Sequence, residues 1–178
     1  MPAIGQTTAV DWFNNGTALY NQIKYNESIK AFEEAIRLDP NYVAAWFNKG
    51  KALYYKGKYD DAIKAYDEAI RLDPKNAGPW SNKGYTLLTQ GNYSGAIKAY
   101  DEAIRLDPNL ALAWHNKGTA LYSQGDYSGA IKAYEEAIRL DPNLASAWNN
   151  KGKALKALGN SIASDSAFAK AKELGYKG

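Results

Sequence analysis

Apolar residues along this chain recur at helical spacing. Trp46, Gly50, Leu53 and Gly57 stand at i, i+4, i+7 and i+11, which sets them on one stripe of a 3.6-residue helix. A second helix is predicted just after: Ala62, Ile63, Tyr66, Ala69, Ile70 and Leu72 form its apolar face, and Lys64, Asp67, Glu68 and Arg71 its polar one. Gly57 sits where a positive φ ends a helix, and Asp60 follows as the expected N-cap. Pro74 cannot continue the second helix and biases Asp73 away from helical geometry, so the chain turns. A helix hairpin is the predicted unit.

The unit repeats. "AIKAYDEAIRLDP" runs from Ala62 to Pro74, returns unaltered from Ala96 to Pro108, and again from Ala130 to Pro142 with Glu135 in place of Asp. All five tryptophans (Trp12, Trp46, Trp80, Trp114, Trp148) keep a 34-residue step, as do Gly16, Gly50, Gly84, Gly118 and Gly152 and the prolines Pro40, Pro74, Pro108 and Pro142. A fixed period of this length indicates stacked supersecondary units instead of one globular core. The turn glycines are Gly57, Gly91, Gly125 and Gly159, with Ile23 in the first unit, and the expected N-caps are Asn26, Asp60, Ser94 and Ser128. Lys64/Glu68 and Asp67/Arg71 are expected as i, i+4 ion pairs on the solvated face.

Further columns keep the same step: Leu19, Leu53, Leu87, Leu121 and Leu155; the small residues Ser28, Ala62, Ala96, Ala130 and Ser164; the aromatics Phe32, Tyr66, Tyr100, Tyr134 and Phe168; and Ala35, Ala69, Ala103, Ala137 and Ala171. Together with the Trp, Gly and Pro columns they resemble the tetratricopeptide repeat family over about Ala9 to Tyr176. That resemblance implies an all-α fold, a right-handed superhelical solenoid of five antiparallel helix pairs, ten helices in all. The repeats would span about 9–42, 43–76, 77–110, 111–144 and 145–178, with residues 1–8 as a flexible N-terminal tail. In the fifth repeat two isoleucine columns become Asp165 and Lys172, so the last helix, roughly Ile162 to Leu174 with Gly175 as its stop, is read as a C-terminal cap. One column departs from the family: Asn15, Lys49, Lys83, Lys117 and Lys151 precede the glycines, either covering neighbouring repeats with their stems or forming a basic row.

Composition narrows the chemistry. Cysteine is absent, which removes disulfides, thiolate metal sites and a cysteine nucleophile. The single histidine, His115, has no second His or Cys near it in sequence, and no phosphate-binding glycine loop is present. No enzyme activity, metal or cofactor is expected. A net charge of +3 with alternating signs on the outer helices leaves no basic stripe, so nucleic acid is disfavoured although Lys51, Lys153 and Lys156 reach toward the groove. No apolar run is long enough to span a membrane. A cytoplasmic protein is expected, or an exported one if residues 1–8 are the remnant of a cleaved signal.

Function is therefore sought on residues facing away from the Trp stripe. Asn14, Asn48, Asn82, Asn116 and Asn150 stand two places after each Trp. An amide offers donor and acceptor together, so such a row can pair with an extended peptide backbone; equally, it can be repeat consensus that fixes helix ends. The column resembles the shared asparagine of peptide-binding family members. Around it lie Phe13, Phe47, Tyr20, Tyr54, Tyr55, Tyr85, His115 and Tyr122, candidate contact residues enriched in the first two repeats. The family's carboxylate clamp needs Lys and Asn at set positions over three repeats, and no register supplies them: the first offers Phe13, Thr17, Asn48, Gly78 and Asn82, of which only Asn48 fits. The expected function is a protein interaction scaffold that takes an extended peptide from a protein partner. Self-association is the alternative, and RNA binding a more remote one.

Overall fold

The structure is a computed structural model that describes residues 7–177. Among these are ten helices and no strand: α1 (Ala9–Asn21), α2 (Tyr25–Leu38), α3 (Val43–Tyr55), α4 (Tyr59–Leu72), α5 (Ala77–Thr89), α6 (Tyr93–Leu106), α7 (Ala111–Ser123), α8 (Tyr127–Leu140), α9 (Ala145–Ala157) and α10 (Ser161–Glu173). The chain divides into two compact units, and the boundary falls inside α5, between Thr86 and Leu87. In unit 1, α1 packs on α2 and α3 on α4, while α2 and α1 both touch α3. Unit 2 repeats the scheme with α6 on α7, α7 on α8, α8 on α9 and α9 on α10. The expected tail falls mostly on residues 1–6, which lie outside the described residues; Thr8 caps α1, its hydroxyl accepting from the Asp11 N–H at 3.1 Å.

The hairpins α1–α2, α3–α4, α7–α8 and α9–α10 each close on an aromatic ring packed against a glycine. A Cβ on Gly50 would stand 2.5 Å from the buried Tyr66 ring, and one on Gly16, Gly118 or Gly152 would stand 2.6–2.8 Å from Phe32, Tyr134 or Phe168. The hydrogen side chain lets the helices approach until the ring is enclosed. Where the small column carries serine, its buried hydroxyl donates to the glycine carbonyl of the facing helix: Ser28 to Gly16 at 2.8 Å and Ser164 to Gly152 at 3.0 Å. Alanines fill the remaining close contacts, including Ala65, Ala99 and Ala133, all almost fully buried.

The turns are tighter than the sequence suggested. Gly57 has φ 73°, the Gly57 N–H donates to the Tyr54 carbonyl and the Lys58 N–H to the Leu53 carbonyl, the two bonds that seal a helix end through a left-handed residue. Lys58 is then already the N-cap of α4. The expected caps Asn26, Asp60, Ser94 and Ser128 accordingly lie inside the helices, and Lys24, Lys58, Asn92 and Asp126 hold the cap positions. Asn92 and Asp126 accept from the N–H groups of Gly95 and Gly129; the lysines make no side-chain cap. Ile23 takes the glycine's place in the first turn at φ 63°, a region sterically costly for a β-branched residue. At the far end of the second helices, Asp39, Asp73, Asp107 and Asp141 accept from the N–H two residues on. The carbonyls of Pro40, Pro108 and Pro142 receive the indole N–H of Trp46, Trp114 and Trp148 at 3.0–3.1 Å.

The ion pairs also differ from expectation. Lys64 pairs with Asp61 and Arg71 with Glu68, both at i, i+3, while Asp67 turns to Lys83 at 2.6 Å. That last contact is one of a series: Lys49 meets Glu33, Lys117 meets Asp101 and Lys151 meets Glu135 at 2.6–3.0 Å. Each of these lysines also lies 5.2–5.8 Å from the ring centre of the Trp three places before it. The lysine column is thus a seam between repeats, with side chains only 19–22% exposed. Asp165 and Lys172 are exposed, while the isoleucines at their columns are half-buried or buried.

Two substitutions test the turn and the ring contact. Ile23→Gly removes a left-handed strain of about 1–2 kcal/mol at a side chain 72% exposed, offset in part by unfolded-state entropy, and is expected to raise the urea midpoint. Gly50→Ala drives a methyl into Tyr66 and is expected to cost roughly 1–3 kcal/mol of stability. Unchanged midpoints for both would remove this account of the hairpin.

Candidate functional site

Unit 1 gathers an aromatic cluster from all its helices. Tyr20 of α1 lies 5.6 Å from Tyr25 at the start of α2 and 5.9 Å from Tyr55 of α3, and Tyr25 stacks on Tyr55 at 5.4 Å and 11°. Tyr54 sits 5.4 Å from each of Tyr55, Tyr59 and Tyr85. A recess of about 150 Å³ opens among Lys51, Tyr54, Tyr55, Tyr66, Asn82, Tyr85 and Thr86. Its rim is presented to solvent, Tyr55 being 57% and Tyr85 45% exposed. Both lie on the first-helix face that the tryptophans leave free.

Three phenols in this cluster, those of Tyr20, Tyr66 and Tyr85, are harder to ionise than a free tyrosine. Burial, with help from the neighbouring Tyr55, pushes the Tyr20 hydroxyl above the ordinary tyrosine range. Tyr85 is raised chiefly by its hydrogen bond with Tyr54, and Tyr66 by burial. The walls therefore combine flat apolar ring faces with neutral hydroxyls, the amide of Asn82 and the ammonium of Lys51. Asn82 and Asn48 each donate one amide hydrogen to a carbonyl in their own first turn, Gly78 at 3.0 Å and Ala44 at 2.9 Å. An amide nitrogen carries two hydrogens, so one donor remains on each.

Unit 2 uses the same columns differently. Asn149 donates to the Oδ1 of Asn150 at 3.2 Å, Asn150 Nδ2 donates to His115 Nε2 at 3.1 Å, and His115 Nδ1 donates to Asn116 Oδ1 at 3.2 Å. This chain assigns the neutral imidazole with its proton on Nδ1. Burial pushes the His115 pKa down, with the Asn116 bond opposing more weakly. Behind it the Tyr134 phenol is raised to about 12, mainly by burial.

Of the residues singled out in the sequence, Tyr20, Tyr54, Tyr55, Tyr85 and Asn82 come together in unit 1, with Phe47 beside them through Lys51. Asn116, Asn150 and His115 come together in unit 2. Phe13, Phe47 and His115 lie 5.8–6.0 Å from the core rings Phe32, Tyr66 and Tyr134, so that column backs the hairpin core. Tyr122 packs on Tyr127 at 5.2 Å, and Asn14 is exposed on α1. Sequence reasoning passed over Tyr25, Tyr59, Tyr66 and Thr86. Tyr25 and Tyr59 carried a signal, since each stands five places after a tyrosine it touches, across the glycine-type turn. Larger grooves of about 630 and 600 Å³ run along Ile29, Trp46 and Leu53 in unit 1 and Ile97, Trp114 and Leu121 in unit 2, and belong to the lysine seam. Among the described residues no helix is long and apolar enough to cross a membrane.

Sequence profiles described as "Tetratricopeptide repeat" match residues 13–77 and 48–111, 99–132 and 145–174, and one described as "TPR repeat" matches 118–159. No curated protein matches significantly in sequence. Among solved structures, MamA is similar at 27% identity and TM-score 0.85, over 89% of this chain and 93% of that one. MamA from residue 41 to its end, from Desulfovibrio magneticus RS-1, gives 23% identity and TM-score 0.88 over 97% of each chain. YrrB, described as a TPR protein with an unusual peptide-binding site, gives 20% identity and TM-score 0.80 over 95% of this chain and 87% of that one.

The buried His115 makes a pH prediction. Its folded pKa lies below its unfolded value of about 6.5, so the unfolded chain binds more protons between the two and stability falls as pH drops through that window. The urea midpoint is expected to be lower at pH 5.5 than at pH 7.5, and His115→Phe, which installs the ring found at Phe47, should flatten the difference. An equal pH dependence in both proteins would show that His115 does not carry it.

Proposed function

The chain belongs to the tetratricopeptide repeat family, and we propose that it is a non-enzymatic protein interaction scaffold whose unit 1 holds an extended peptide segment. The observation that carries this reading is the walled tyrosine recess, open to solvent beside an amide that keeps a donor in reserve. Tyrosine gives large amphipathic contact area at low entropic cost, which suits it to a recognition surface. A small recess lined by rings takes one side chain, and Asn48 and Asn82 pair with backbone groups on either side of it. The asparagines of unit 2 are largely spent on His115, so the amide row contributes mainly through Asn48 and Asn82. The likeness of fold to YrrB, itself described as having an unusual peptide-binding site, agrees with a peptide ligand and identifies no residue.

The reading is tested by a peptide-library pull-down with wild type, Asn82→Ala and Tyr85→Ala in parallel. Loss of the amide should weaken recovered peptides by roughly 0.5–1.5 kcal/mol, and truncation of the aromatic anchor by about 2 kcal/mol or more. Recovery should not require a free terminal carboxylate. Equal affinities for all three proteins would make the asparagine column repeat consensus only. A chain that retains no peptide but sediments as concentration-dependent oligomers would replace this reading with self-assembly.

A further inference from the structure

Most lysines that are half-buried here have a carboxylate. Lys49, Lys83, Lys117 and Lys151 meet theirs across the repeat seam, and Lys170 meets Glu173 at 2.7 Å. Lys51, also half-buried, meets none within ion-pair distance among the described residues. Its ammonium lies 5.0 Å from the ring centre of Tyr20 and 5.8 Å from that of Phe47, and it lines the recess. Two ring faces fix the position of a cation without cancelling its charge.

The remaining lining sharpens the point. Tyr54, Tyr55, Tyr66, Tyr85, Asn82 and Thr86 contribute hydroxyls and one amide, and no carboxylate. The recess thus carries one positive charge among neutral groups rich in donors. A lysine or arginine entering it meets like charge. A purely apolar side chain strips water from the ammonium and returns nothing, which is costly. An anionic oxygen restores the lost hydration with charge-assisted bonds, the stronger kind. The volume of about 150 Å³ admits one such side chain and its neighbour's edge.

Resting on the peptide reading above, we propose that the unit 1 recess selects an extended segment bearing an internal anionic side chain next to an aromatic or aliphatic residue, with Lys51 as the counter-charge. The segment's ring or aliphatic group lies on Tyr54, Tyr55 and Tyr85, and its acidic oxygens face Lys51. Because the acid is internal, chain ends are immaterial.

Acetylated and amidated decapeptides test this, with a central Glu, Gln, phosphoserine or Lys flanked by randomised aromatic and aliphatic residues, so that no terminal charge takes part. Wild type should prefer Glu or phosphoserine over Gln by about tenfold, as charge-assisted over neutral hydrogen bonding implies, and the preference should shrink with added salt. The ratio between Glu and phosphoserine tells which source of the anionic group fits. Lys51→Met keeps an unbranched side chain over Tyr20 and Phe47 and should bring the Glu-to-Gln affinity ratio to about one; Lys51→Glu should turn the preference toward Lys. Equal binding of Glu and Gln peptides by wild type, or a preference that survives in Lys51→Met, overturns the charge assignment and leaves peptide binding standing. Failure of wild type to retain any of the peptides overturns the peptide reading itself.

Discussion

The contact on which this architecture depends is an aromatic ring packed against a glycine. With no Cβ at Gly16, Gly50, Gly118 or Gly152, the first helix of a hairpin comes near enough to enclose the ring of the second, and Phe32, Tyr66 and Tyr134 are left with almost no exposed surface. Everything else in the hairpin is arranged around that distance. The alanine columns are small because the helices are close, and the serines at Ser28 and Ser164 reach the glycine carbonyls for the same reason. It also sets the faces: with the glycine turned to the ring, the Trp stripe meets the lysine seam, and the residues one, five and eight places after each Trp are turned the other way.

Electrostatics then ties repeats to one another more than it ties turns of a helix. The acid that follows Phe32, Tyr66, Tyr100 and Tyr134 reaches the lysine sixteen places on, and that lysine stands over its own Trp. Exposed pairs at i, i+3 are worth little, whereas a lysine pressed against an indole and held by a carboxylate of the previous helix loses less to solvent screening. Pro40, Pro108 and Pro142, which follow second helices, have a matching second role, since their carbonyls receive the indole N–H six residues on.

The helices, their order and the turn glycines were legible in the sequence because packing repeats with the period, so each column restates the same residue type every 34 residues. The caps were misplaced by one physical fact. A left-handed glycine shortens the turn so far that the residue after it starts the next helix, and Lys58 holds a position that propensity alone would give to Asp60. The charge pairs were misjudged because i, i+4 reasoning sees one helix only, and Asp67 had a partner on another. For the candidate site, column reasoning found Tyr54, Tyr55, Tyr85 and Asn82 as residues that packing did not claim. It could not tell that Phe13, Phe47 and His115 back the core rings, since residues one place after Trp look free until the second helix is laid beside them.

What distinguishes the repeats is how the same free columns are filled. One place and five places after Trp46 stand Phe47 and Lys51; after Trp114 stand His115 and Thr119. An imidazole can both donate and accept, so in unit 2 it draws Asn116 and Asn150 into a chain that satisfies itself. A phenyl ring can do neither. In unit 1 Phe47 leaves its asparagine bonded only to its own helix and offers Lys51 a π face in place of a counter-ion. The scaffold is the same in both cases, and the ring one place after the Trp decides whether the neighbouring asparagine is bonded within its own helix, as at Asn48, or drawn to the imidazole, as at Asn116 and Asn150.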